Sequence, residues 1–121
     1  MKSMFMLATA LTFSQLSLAS VPCQDQDFVL MKSPVVIQTA GHSYSPRCAK
    51  VKAGTQITIQ ASSMHPLAPM APFNATVNPF ANGSFNSDQT RTATSKGVFG
   101  FFCTNHGDVS GNGMAGMVTV E

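Results

Sequence analysis

Two histidines and two sulfur-containing side chains are spaced in this sequence as ligands of one metal ion would be. Cys103 ends an aromatic run, His106 follows three positions later, and Met114 closes a glycine-rich segment. His65 lies upstream, after a segment of alternating apolar and polar residues. Two imidazoles, a thiolate and a thioether form the donor set of a type 1 (blue) copper site, because sulfur favours Cu(I) while imidazole also suits Cu(II). The sequence therefore predicts one copper ion held by these four residues.

The elements that position these residues are predicted to be β-strands. Short runs with β-branched or aromatic residues alternate with turn signals, and no later segment shows a helical apolar stripe. The proline-rich segment 62–84 is predicted to be a loop with one edge strand. This spacing predicts an all-β, Greek-key β-sandwich. The predicted strands are 35–38, 47–52, 55–60, 90–94, 98–103 and 117–120.

Composition excludes several classes of protein. The 121 residues fit one domain, and 44% are hydrophobic, which is too many for a disordered chain. Only 10% are charged and the net charge is +2, so the basic footprint of a nucleic-acid-binding protein is missing. No apolar stretch reaches the roughly 18 residues of a transmembrane helix. The sequence thus indicates a protein that is neither transmembrane nor nucleic-acid-binding, and we expect a monomer.

The first residues have the pattern of a secretory signal peptide, which we assign to residues 1–19. Lys2 precedes a mostly apolar run over 4–18, and small residues follow where a signal peptidase would cleave. Cleavage after Ser20 fits equally well. We therefore expect residues 20–121 to form a single exported domain, in the periplasm or outside the cell, where disulfides persist.

The C-terminal third resembles the cupredoxins of the plastocyanin and pseudoazurin type. In that family a strand-ending Cys, a His just beyond it and a Met before a final valine-rich strand bind copper. The family's upstream His corresponds to His65, and the turn at residues 53–55 is also similar. The resemblance covers about residues 33–121, most closely at 50–66 and 97–121. One departure is length, because seven residues separate His106 from Met114 where plastocyanins usually have four.

The resemblance also implies how the site would work. The protein would carry single electrons between redox partners, with a partner docking transiently near the exposed edge of His106. Pro66, Leu67 and Gly107 would form a largely apolar rim. In the family, the residue after the upstream His donates a backbone N–H to the Cys sulfur. Because Pro66 has no N–H, we expect the backbone N–H of Asn105 to take that role.

The three cysteines leave two pairings open. If Cys103 is the copper thiolate, Cys23 and Cys48 remain as a disulfide pair. The alternative pairs Cys48 with Cys103, leaves Cys23 free and abolishes the copper site.

Other interpretations also stay open. Met117 is a rival to Met114 as the axial ligand, and His42 is interpreted as a surface residue. A second copper site and a substrate acid–base pair are not visible in the sequence, so we expect an electron carrier and not an enzyme. A copper chaperone or copper-resistance protein is the first alternative, because Met and His also suit Cu(I) transfer. A metal-free interaction module is the second, and it predicts that the donors do not converge.

Overall fold

A computed structural model describes residues 22–70 and 76–121 of the chain. The predicted signal peptide, residues 1–19, lies outside the described residues. Within the described ranges the chain forms nine β-strands and one single-turn 3-10 helix, Asp25–Asp27. The strands are β1 Val29–Leu30, β2 Val35–Ala40, β3 Ser43–Ser45, β4 Cys48–Val51, β5 Thr55–Ile59, β6 Leu67–Pro69, β7 Gln89–Ala93, β8 Gly97–Gly107 and β9 Gly113–Val120.

The strands form two mixed sheets that pack face to face, which confirms the predicted all-β sandwich. One sheet has the order β1-β4-β9-β8-β6 and the other the order β3-β2-β5-β7. Strands β4 and β9 run parallel, whereas β8 is antiparallel to both β9 and β6. Strand β8, which carries Cys103, is therefore paired on both sides, with β9 and with the edge strand β6.

The core follows from the alternation of side chains along the strands. Ile57 and Ile59 of β5 face inward and are fully buried, as are Phe99 and Phe101 of β8. Each such side chain contributes about 1.5–3 kcal/mol through its removal from water. Cys103 continues the phase of Phe99 and Phe101, so its thiol points into the same core.

Most strands lie where the sequence predicts them, and the differences come from long-range pairing. The sequence does not predict strands β1 and β3, because they are two and three residues long and exist through pairing with β4 and β2. The predicted edge strand in the proline-rich segment is β6, at the edge of the five-stranded sheet.

The N-terminal segment is fastened to the sandwich by a disulfide. Cys23 and Cys48 are bonded, with their Cα atoms 5.9 Å apart, and Cys103 is free and buried. The predicted pair is therefore confirmed and the Cys48–Cys103 alternative is wrong. The guanidinium of Arg47 also donates a hydrogen bond to the backbone carbonyl of Pro22.

Among the described residues, no helix has the length and apolar character needed to cross a membrane.

Candidate metal centre

Three of the predicted ligands converge at one end of the sandwich. The Sγ atom of Cys103 lies 3.7 Å from Nδ1 of His65 and 3.6 Å from Nδ1 of His106. The donor atoms of all three residues lie within 4.8 Å of one another. The described residues contain one such cluster. This convergence contradicts the metal-free interpretation, which required the donors to lie apart.

The separations of the donors match a metal ion placed between them. Metal–nitrogen bonds of about 2.0–2.1 Å and metal–sulfur bonds of about 2.3 Å, at trigonal angles, place nitrogen and sulfur about 3.7 Å apart. The observed Sγ–Nδ1 distances of 3.6 and 3.7 Å agree with that value. Two imidazoles and one thiolate in a trigonal set are the strong donors of a blue-copper site. The three residues therefore fit one type 1 copper ion.

Strand pairing holds Cys103 in place. It lies on β8 opposite Leu67 of β6, and the backbone N–H of Thr104 donates to the carbonyl of Pro66 at 3.1 Å. Its side chain is fully buried. Because β6 begins two residues after His65, this pairing also brings His65 beside the thiol, although the two are 38 residues apart in sequence.

A tight turn orients His65. The backbone N–H of Ser62 donates to the carbonyl of His65 at 3.1 Å, and the hydroxyl of Ser62 accepts from the backbone N–H of His65 at the same distance. These two reciprocal hydrogen bonds close a turn before β6 and fix the backbone position from which the imidazole extends. The ring is half-buried.

The segment that carries His106 differs from the prediction. The sequence predicts a strand that ends at Cys103 and a long loop that holds both His106 and Met114. Instead β8 continues past Cys103 and ends at Gly107. Between Phe102 and Gly107 its regular pairing with β9 is interrupted. Pairing resumes at Gly107 and Gly113, so the loop shrinks to residues 108–112.

Asp108 closes that short loop. Its carboxylate accepts hydrogen bonds from the backbone N–H of Ser110 at 2.9 Å and from the backbone N–H and side chain of Asn112, both at 3.2 Å. These hydrogen bonds hold the pKa of Asp108 below its usual range. The backbone N–H of Asn112 has the largest effect and its side chain the next, whereas partial desolvation acts in the opposite direction. Gly113 has φ +75°, and a Cβ there would collide with the carbonyl of His106, so only glycine suits this crossing.

The two candidate axial methionines face different parts of the molecule. Met114 is buried in the main core cluster, which also contains Cys103. Met117 packs with the Cys23–Cys48 disulfide in a separate cluster. The difference follows from strand phase, because residues three apart on β9 point to opposite faces.

A third histidine stands at the site, where the sequence analysis does not place it. The ring of His42 stacks on His106 with centroids 3.8 Å apart and an interplanar angle of 19°. Its centroid lies 5.9 Å from that of His65. His42 is exposed, as the sequence indicates, but it is also a neighbour of the metal centre. The available signal is Gly41, whose turn joins β2 to β3 at this end of the sandwich.

Electrostatics favour the metal-binding form of His106. Partial desolvation lowers the pKa of this imidazole, and the nearby His42 and His65 lower it further because positive charges on neighbouring rings repel. A lowered pKa keeps the ring neutral near pH 7, with a lone pair free to bind a metal ion.

The rim of the site also differs from the prediction. Leu67 is fully buried, because its pairing with Cys103 turns the side chain into the core, so the prediction that it lines the rim is wrong. Pro66 and Gly107 are half-exposed. Two apolar side chains not predicted for the rim are well exposed: Met64 at 65%, directly before His65 in sequence, and Val109 at 49%, three residues after His106.

Comparison of the structure with solved structures finds cupredoxins. A pseudoazurin from Methylobacterium extorquens AM1 superposes with a TM-score of 0.57 at 16% identity, covering 74% of this chain and 75% of that chain. A mutant amicyanin gives a TM-score of 0.53 at 26% identity, covering 72% of this chain and 81% of that chain.

A longer copper protein has a part of similar structure. A copper-containing nitrite reductase from Thermus scotoductus SA-01 gives a TM-score of 0.58 at 16% identity; 79% of this chain is covered but only 28% of that one. No protein-family model matches the sequence, and no curated protein matches it closely. The chain therefore has the cupredoxin fold of the pseudoazurins and amicyanin, with a His-Cys-His donor set that fits one type 1 copper ion.

Proposed function

We propose that this chain is an exported type 1 copper protein that carries single electrons between redox partners. His65, Cys103 and His106 would be the strong ligands, and Met114 would be the weak axial ligand. The observation that carries the proposal is the position of the Cys103 Sγ, 3.6 and 3.7 Å from one Nδ1 atom on each histidine. The position of Met114 in the same core cluster as Cys103, away from the disulfide, supports it over Met117.

When bound, copper supplies a one-electron redox couple that passes between Cu(I) and Cu(II). The protein itself holds the ligand side chains in fixed positions. Cys103 is held by strand pairing, His65 by its hydrogen-bonded turn, and the loop after His106 by Asp108. Donors fixed in this way leave little geometry to rearrange when the charge changes, which favours fast transfer.

A partner would reach the site over His106. Cys103 is fully buried, whereas His106 is half-exposed. Met64, which directly precedes His65, and Val109, three residues after His106, are exposed apolar side chains that a partner could contact. A small docking face of this kind would suit a transient complex, because electron-transfer interfaces are at the low end of buried area. We propose electron carriage and not catalysis because the described residues hold one metal-donor cluster, without a second metal site beside it.

Copper loading tests the proposal directly. The apo-protein should give an intense thiolate-to-copper visible band and a narrow copper hyperfine splitting when Cu(II) is added. Cys103→Ala should lose both, while the matched control Thr104→Ala should keep them, since Thr104 is exposed and contributes its backbone N–H to the structure. A Cys103→Ala protein that stays blue would contradict the assignment.

The same experiment separates electron carriage from copper transfer. A copper chaperone would bind Cu(I) tightly but give no blue Cu(II) form. That result would overturn the electron-carrier proposal in favour of the chaperone or resistance function. Export is tested by cell fractionation of the full-length chain. N-terminal sequencing of the exported protein should give a first residue just after Ala19 or Ser20.

A further inference from the structure

The stacking of His42 on His106 joins the two sheets at the metal centre. His106 belongs to the five-stranded sheet, whereas His42 lies in the turn between β2 and β3 of the other sheet. Their ring centroids are 3.8 Å apart and their planes differ by 19°, which is an aromatic stack. One face of the His106 imidazole is therefore covered by a side chain from outside its own sheet.

The turn that carries His42 is well defined. Ala40 and Ser43 pair across it, so it has only two central residues, Gly41 and His42. Gly41 has φ +61°, as the first central position of a type II′ hairpin requires. The Ser43 hydroxyl donates to the Ala40 carbonyl at 3.0 Å. The hairpin geometry thus sets where the His42 ring can lie.

His106, by contrast, is not part of the regular pairing between β8 and β9. The regular pairing of β8 with β9 is interrupted between Phe102 and Gly107, and His106 falls in that irregular stretch. Its Nδ1 nevertheless points to the Cys103 thiol, at 3.6 Å. The ring of His65 lies beside this stack, with its centroid 5.1 Å from that of His106 at a tilt of 55° and 5.9 Å from that of His42. A flat contact with His42 is the interaction that can restrain rotation of this ring.

We infer that His42 is a positioning residue for the metal centre: by stacking on His106 it holds that imidazole with Nδ1 directed at Cys103. The inference rests on the proposed function, in which His106 is a copper ligand. His42 is not itself a ligand here, because it stands outside the cluster of donor atoms that lie within 4.8 Å of one another. Its effect is preorganisation, since a ring that is already oriented loses less freedom when metal binds.

The chemistry of the stack predicts which substitutions matter. His42→Ala removes the aromatic surface and should weaken Cu(I) binding about two- to tenfold, the range expected for loss of one aromatic pair. His42→Phe keeps an aromatic ring on the same two torsions and should restore most of the affinity. Gln38→Ala is the matched control, because Gln38 is exposed on β2, the strand that enters the same hairpin.

The measurement is a Cu(I) competition titration with a chromogenic chelator on the four proteins, accompanied by visible spectra of the Cu(II) forms. Thermal unfolding of the apo-proteins reports whether the fold has changed. If wild type shows no thiolate-to-copper band, the proposed function has failed. If wild type is blue but His42→Ala binds Cu(I) as tightly as wild type, the positioning inference alone is wrong. A His42→Phe variant as weak as His42→Ala would also overturn it, because stacking would then not be the cause.

A second measurement needs no variant and no metal. In the wild-type apo-protein, proton NMR should show cross-relaxation between the ring protons of His42 and His106, because their centroids are 3.8 Å apart. Absence of that signal, with both rings assigned, would overturn the inference even if the alanine variant failed to fold.

Discussion

The side chain of Asn105 donates a hydrogen bond to the backbone carbonyl of Met64 at 2.9 Å. Asn105 lies between Cys103 and His106, and Met64 directly precedes His65. The bond therefore ties the segment with two candidate ligands to the turn that carries the third. The neighbouring bond from Thr104 N–H to the Pro66 carbonyl ties the same two segments a second time.

The first prediction concerns the contribution of this tie to stability. Asn105→Ala should lower the free energy of unfolding of the apo-protein by about 0.5–1 kcal/mol, since an exposed hydrogen bond contributes at the low end of the usual range. Urea denaturation measures the difference. Asn86→Ala is the control, because Asn86 is also an exposed loop asparagine. Equal stability of the two variants would show that the bond to Met64 does not hold the segments together.

The second prediction tests the bond that the sequence analysis expects from the backbone N–H of Asn105 to the Cys103 sulfur. This bond is not among the hydrogen bonds of the described residues, where Asn105 bonds through its side chain. Asn105→Pro removes that N–H as well as the side chain, so it is compared with Asn105→Ala, which removes the side chain alone. A hydrogen bond to the thiolate draws electron density from sulfur and favours the reduced state. If the bond differs by about 1 kcal/mol between the redox states, the potential of the proline variant should be lower by about 40 mV.

Protein-film voltammetry of the two variants gives the potentials, and both should retain copper. An unchanged or raised potential in the proline variant would show that this N–H does not donate to the sulfur.

Two of the three strong ligands can be predicted from the sequence because they lie close together in it. Cys103 and His106 lie three positions apart at the end of an aromatic strand, and their residue types already specify a soft metal. His65 is distant from them in sequence, and its prediction as a ligand depends on the similarity of the segment before it to the cupredoxins. His42 could not be found in this way, because its contact with His106 arises only when the β2–β3 hairpin and β8 meet at the end of the sandwich.

The predictions that the structure contradicts also failed because of contacts between residues distant in sequence. Leu67 looks like a rim residue beside His65 and Pro66, yet pairing with Cys103 turns it into the core. The extension of β8 beyond Cys103 depends on renewed pairing of Gly107 with Gly113, across a loop closed by Asp108. Register across a sheet is decided by partners that are distant in sequence, and a single strand does not reveal them.

The third prediction separates the axial ligand from the strong ligands. Met114→Leu keeps the side-chain volume but removes the sulfur, so the core should remain packed and copper should stay bound. The visible spectrum and the potential should change, because the axial ligand tunes a blue-copper site. His106→Ala should instead lose most of the blue form.

Met117→Leu is the matched control, since Met117 packs against the disulfide on the other face of β9 and should leave the spectrum unchanged. A spectrum altered by Met117→Leu and not by Met114→Leu would exchange the roles of the two methionines. Equal loss of copper in Met114→Leu and His106→Ala would make Met114 a strong ligand.

The fourth prediction concerns the disulfide. The bond closes a loop of 25 residues, and the double variant Cys23→Ala/Cys48→Ala should lose about 3.5 kcal/mol of stability in the chain-entropy model. Copper binding should persist, because Cys103 is a separate thiol in another part of the core. Denaturation and visible spectroscopy report the two properties. Mass spectrometry of unreduced apo-protein should find one bridge and one alkylatable thiol; loss of the blue band in the double variant would contradict this separation.

The fifth prediction concerns Tyr44, whose ring packs edge-on against Phe101 with centroids 4.8 Å apart. Its hydroxyl is buried and has no hydrogen-bond partner within residues 22–70 and 76–121. Burial raises the pKa of this phenol far above its usual value, and the charge of a Cys103 thiolate raises it further. Because the chain has one Tyr and no Trp, phenolate absorbance follows this group alone. The native apo-protein should show no phenolate signal at about pH 10, where a free tyrosine is half-ionised.

The sign of the effect on stability follows from linkage. A group whose pKa is raised by folding contributes stability that is complete below its unfolded pKa and is lost as pH rises toward the folded pKa. The free energy of unfolding of wild type should therefore fall above about pH 10, where phenolate forms in the unfolded chain. Tyr44→Phe has no phenol to ionise, so its free energy of unfolding should decline less over the same range. At pH 7 the variant should be at least as stable as wild type, because a buried hydroxyl without a hydrogen-bond partner costs stability. Parallel curves up to the alkaline limit would show that Tyr44 is not held neutral by the fold.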